Sequence, residues 1–187
     1  MNYPDDLITL DLYHGTSEPN AKSIVNSRTW NITLDKYWLG TGVYFMQDSY
    51  SWACSWAIKG KYRINEEEAC YIRVEFSTKR RNILDLIDVE QMDAFLGFMK
   101  IFDKDATDCA NNWDIISIAI LDKFCEYIEL GKFDGFEKSD IHAIRGFFRM
   151  GSHNTREKCP IRGQIQVVVK ESAVSMISII DFRRCVQ

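Results

Sequence analysis

The chain has 187 residues, of which 46% are apolar and 27% charged, with a formal net charge of −4. That length suits one domain, residues 1–187, with a substantial core. No apolar run approaches the roughly 20 residues that span a bilayer, so no membrane segment is expected, and a net negative chain is not held to nucleic acid by bulk charge.

The first residues, MNYPDDLITLDLY, are acidic and lack a basic start followed by an apolar run, so no secretory signal is expected and the cytoplasm is the expected location. LITLDLYHG alternates and is rich in branched residues, which predicts a strand ending at Gly15. EPNAKSIVNS follows as a short helix, with Ser17 as N-cap and Pro19 in its first turn. GTGVYFMQ predicts a strand entered through two glycines. SYSWACSWAIKGK predicts a helix with an aromatic stripe, capped from Asp48 or Ser49. ACYIRVEFS and NILDLI give one or two further strands.

The period then changes. VEQMDAFLGFMKIF places Met92, Phe95, Phe98, Met99 and Phe102 on one helical face. NNWDIISIAILDKFCEYIEL repeats the pattern through Trp113, Ile116, Ile120, Phe124 and Tyr127, with Gly131 as its stop. Together they predict a helical insertion over about 88–131. Three short strands close the chain, in IHAIRGFFRM, GQIQVVVK and MISIIDF, and the expected class is α+β with a largely antiparallel or mixed sheet. The six cysteines, Cys54, Cys70, Cys109, Cys125, Cys159 and Cys185, form no CxxC pair. Buried thiols in a reducing cytosol are expected in preference to disulfides, and no zinc site.

Two pieces invite a ligand. In YHGT, His14 offers an imidazole, and Gly15 lets the backbone approach a bound group closely. In GTGVYF, Gly40 and Gly42 turn the chain so that Tyr44 can stack on a heteroaromatic ring while Val43 and Phe45 pack inward. The same residues also fit a plain structural role, with His14 capping a turn and Tyr44 in the core.

LYHGTS followed by LGTGVYFMQDSYSWACSWA resembles the opening of the ADP-ribosyltransferase superfamily, and AIRGFFRMG with GQIQVVVK is similar to the endings of its small bacterial members. The resemblance implies a split mixed or antiparallel sheet with flanking helices. It also implies NAD as substrate and mono-ADP-ribosyl transfer with release of nicotinamide. His14 and Gly15 would hold the nicotinamide ribose and carboxamide, Thr16 would support that turn, and Tyr44, after the sharp bend at Gly42, would stack on the ring. Toxin-like and phage-defence effectors of this kind modify nucleic acid or protein, and a neutralising antitoxin is an expected partner.

The late strand departs from the family, which places a glutamate near its start to stabilise the oxocarbenium-like transition state. Here those positions hold Gln164 and Gln166. A glutamine accepts a hydrogen bond but offsets no positive charge. Transfer with Gln166, transfer with a carboxylate from Glu75 or Glu171, and a non-catalytic NAD or ADP-ribose binder therefore all remain open, as does a glutamine on the solvent face of an edge strand. Arg145 is a candidate for the pyrophosphate, or an arginine paired with a nearby acid.

Two readings from other classes complete the set. The stripes over 88–102 and 111–130 could dock a partner, and His142 with His153 could serve a nucleic-acid enzyme that uses no NAD. No Walker loop, dinucleotide glycine fingerprint, HExxH or GxSxG occurs.

Overall fold

A computed structural model describes residues 5–32, 39–59, 64–102, 118–134, 136–149 and 163–185. Among these residues there are seven strands: β1 (Leu7–Ser17), β2 (Val43–Gln47), β3 (Ala69–Lys79), β4 (Ile83–Asp85), β5 (Ala143–Arg149), β6 (Gly163–Val169) and β7 (Ile177–Arg184). Among the described residues the α-helices are α1 (Glu18–Ser27), α2 (Tyr50–Lys59), α3 (Val89–Phe102) and α4 (Ile118–Glu129). The strands make one sheet in the order β4-β5-β6-β2-β1-β3-β7. Its neighbours are antiparallel except β4 and β5, which run parallel. The class is α+β with a mixed sheet, as the periodicities require.

Alternation along the strands builds two apolar layers. Leu12, Phe45, Ile72, Val74, Phe76, Val167 and Val169 point to one side, where Ala21 and Ile24 of α1 and Trp30 cover them. Leu84, Ile144 and Val168 point to the other, against Phe95, Phe98 and Met99 of α3 and Leu121, Phe124 and Ile128 of α4. The two helical stripes thus pack inward. Phe95 and Phe124 are fully buried, and Met92, Ile120 and Tyr127 are partly buried against them, so these side chains are not offered to a docking partner. Trp113 and Ile116 lie outside the described residues.

Local signals account for the helix ends. Ser17 occupies the N-cap of α1 in extended conformation, with Pro19 behind it, but its side chain makes no capping bond. The Ser49 hydroxyl accepts the Trp52 N–H at 3.4 Å at the start of α2. Gly131, at φ 65, follows α4 in the left-handed conformation that suits glycine after a helix.

The cysteine expectation is corrected. Cys54 of α2 is disulfide-bonded to Cys185 beside β7 across 131 residues, a separation that hides the pairing from any local pattern. Cys70 and Cys125 are free and buried, and burial pushes the Cys125 thiol up to about 12. Cys109 and Cys159 lie outside the described residues. No helix among the described residues is long and apolar enough to cross a membrane.

Candidate functional site

The sheet opens at the HG dipeptide. β1 pairs with β3 along its whole length, from Leu7↔Lys79 to Ser17↔Ala69, and β2 pairs with β6 from Val43↔Val169 to Met46↔Gln166. Between β1 and β2, however, only Leu12↔Gln47 and Tyr13↔Met46 are in register. The carbonyl of Asp11 accepts the Asp48 N–H at 3.0 Å just past the end of β2, whereas the Glu18 N–H donates to Glu68 on the β3 side. Odd-numbered residues of β1 therefore turn their peptide groups toward β2 and even-numbered ones toward β3. Gly15 is the next odd residue after the register stops. Its N–H and C=O face β2 with no partner in that ladder.

One further step of the ladder would set Gly15 opposite Tyr44. Instead, the Tyr44 carbonyl accepts a hydrogen bond from Nδ1 of His14 at 2.8 Å. A carbonyl only accepts, so Nδ1 carries the proton and Nε2 of the neutral ring is left as an acceptor. The His14 ring is packed edge-on against Trp30 and Phe45, with centroids 5.5 and 5.7 Å away. Burial pushes its pKa down, opposed in part by the bond to Tyr44, so the neutral form is favoured.

The glycines act by close packing. A Cβ on Gly15 would collide with the Ala53 carbonyl of α2, and one on Gly42 with the Val169 carbonyl of β6. On its α2 face, then, Gly15 lets a helix approach, not a ligand, and only its strand edge is left for a bound group. Thr16 is buried on the His14 face. The Tyr44 hydroxyl donates to the Gly40 carbonyl at 2.8 Å and accepts the Leu39 N–H at 3.1 Å, and its ring packs in the α3/α4 layer. The side chains of His14 and Tyr44 thus leave opposite faces of the sheet and meet through the Tyr44 carbonyl. Of the expected pair, His14 for the nicotinamide ribose and Tyr44 for its ring, the two side chains are therefore not side by side.

Gln166 does not lie on a solvent-facing edge strand. It is 2% exposed on a strand flanked by β5 and β2, and shares the Tyr44 face. Gln166, Met46 and Tyr13 form one cross-strand row, the last before the sheet opens. Gln164 donates through Nε2 to the Gln47 carbonyl at 2.6 Å, which ties it to the end of β2. Arg145 takes the paired form: Nε donates to Gln47 Oε1 at 2.8 Å and Nη1 to Asp85 Oδ2 at 2.7 Å. It is held on the Gln47 side of the Tyr13–Met46 row, away from the opening, so the structure does not bring it to His14.

Of the alternative carboxylates, Glu75 is exposed on β3 opposite Asp11, and Glu171 is exposed in the 3-10 turn after β6. His142 is engaged by the Thr78 hydroxyl at 2.7 Å, and His153 lies outside the described residues. Among the described residues no group of three or more His, Cys, Asp or Glu side chains is placed to hold a metal. No family model, curated protein or solved structure matches the chain. The residues that enclose His14, namely Trp30 and Phe45, carry no motif of their own, and only the apolar character of their neighbours hints that they are buried.

Proposed function

We propose that the chain is an NAD-dependent mono-ADP-ribosyltransferase with an ADP-ribosyltransferase-like split sheet, working at the opening between β1 and β2. The observation that carries this reading is the peptide of Gly15, whose N–H and C=O point together into the opening beside His14. A donor and an acceptor at that spacing match a carboxamide, which returns an acceptor and a donor. Nicotinamide would dock by this edge, with His14 Nε2 accepting from a ribose hydroxyl. Gln166, at the base of the opening, would accept from the ribose 2′-hydroxyl, and Tyr44 would flank it on the same face.

In the reaction, the bond from ribose C1′ to the nicotinamide nitrogen breaks with its electron pair leaving on nicotinamide. A nucleophile on nucleic acid or protein then bonds to C1′ and loses its proton. Gln166 contributes a dipole and not a charge, so positioning would supply most of the rate. The same absence of charge favours one second reading, a non-catalytic NAD or ADP-ribose binder.

Incubating the protein with NAD and measuring free nicotinamide separates the two. The transferase reading expects release that is lost in Gln166→Ala and His14→Ala and kept or raised in Gln166→Glu, with ADP-ribose added to RNA or protein by mass spectrometry. NAD binding without release would establish the binder, and absence of both would overturn the proposal.

A further inference from the structure

β1 runs on past the end of β2, and between its Ile8–Leu10 segment and β4 lies a groove of about 570 Å³ that none of His14, Gly15, Tyr44 or Gln166 lines. That volume falls within the roughly 300–1,000 Å³ of small-molecule sites. Ile8, Leu10 and Ile83 supply apolar walls. The polar groups are fixed from behind. Arg145 is clamped by Gln47 and Asp85 through Nε and Nη1, which leaves Nη2 to donate. Gln91, 5% exposed, accepts the Asp85 N–H on Oε1 at 2.9 Å, so its amide Nε2 is the group left for a guest. Arg80 stands exposed at the rim, and Asp88 lines the groove at the start of α3.

We propose that this groove binds a purine nucleotide, with guanine as the best-matched base. The chemistry of the lining narrows the guest. A bare anion meets Asp85 and Asp88, and a bare cation meets Arg145 and Arg80. A purely apolar guest strips water from the Arg145 and Gln91 donors and returns nothing. A flat heteroaromatic ring with donors and acceptors along one edge satisfies both the walls and the pinned pair. Along that edge Arg145 Nη2 donates to the O6 of guanine, and the Asp85 carboxylate beside it accepts from the ring N1–H and the amino group. Arg80 is then placed for the phosphate. The site does not depend on the NAD reading.

Calorimetric titration of the full chain with GMP, AMP, inorganic phosphate and a guanine-containing single-stranded RNA hexamer tests it. GMP should bind saturably and about tenfold tighter than AMP, the scale of one good bidentate base contact, and inorganic phosphate should bind weakly or not at all. Tighter binding of the hexamer would identify a nucleotide within a strand as the source, and preference for GMP a free nucleotide. Asp85→Asn, nearly isosteric, and Leu10→Trp, which fills the groove without touching the ion pair, should each lose at least tenfold while melting cooperatively. Failure of both GMP and RNA to saturate, equal binding of phosphate and GMP, or affinity unchanged in both variants would overturn the proposal. So would GMP binding lost in His14→Ala but kept in Asp85→Asn, since it would place the nucleotide at the sheet opening.

Discussion

His14 shows how much of a residue's role depends on what surrounds it. Its neutral form is favoured by packing against Trp30 and Phe45, while the Tyr44 carbonyl sets the tautomer and opposes that shift in part, and the consequence for stability has a definite sign. The folded pKa lies below the unfolded value of about 6.5, so the unfolded chain binds the proton more readily. The stabilisation is complete above about pH 6.5 and is lost as pH falls below it. His142, also pushed down by burial, acts in the same direction. The urea midpoint should therefore fall between pH 7.5 and 5.5. His14→Gln keeps an N–H for the Tyr44 carbonyl without titrating, so it should flatten that fall. Identical pH profiles for the two proteins would show that His14 is not buried as described. The sequence supplied His14 as a candidate, but not its tautomer, because its enclosing residues lie 16 and 31 positions away along the chain.

Among the elements, α2 and β1 approach each other closely where Gly15 meets the Ala53 carbonyl, leaving no room for a Cβ. Gly15→Ala should destabilise the protein by about 1–3 kcal/mol or more through overpacking, read from denaturant unfolding. Ala53→Gly should not rescue it, because the clash is with backbone, and full rescue would contradict the contact. The strands, the α+β class and the inward stripes of α3 and α4 were legible because periods of two and 3.6 are written locally. The order of the strands was not, nor was the early end of the β1/β2 ladder, since pairing partners leave no spacing signature. The two pairs that clamp Arg145 join residues 60 and 98 positions apart. Residue types could therefore suggest an ion pair but not name its partners.

For the molecule as a whole, the Cys54–Cys185 bond fastens α2, and with it one wall of the opening, to the end of β7. Such bonds persist in oxidising compartments and are uncommon in a reducing cytosol. A disulfide of this kind typically contributes about 2–4 kcal/mol, so dithiothreitol should lower the melting temperature of the wild type and leave Cys54→Ala/Cys185→Ala unaffected. Equal responses would show that the bond does not form. The central claim is that the edge of Gly15 receives a carboxamide, and the amide resonance of Gly15 reports on it directly. Titration of ¹⁵N-labelled protein with NAD, and separately with nicotinamide, should shift that resonance saturably in both cases, together with the His14 ring signals. Saturable binding of NAD that leaves Gly15 unmoved, or no response to either ligand, would contradict the account.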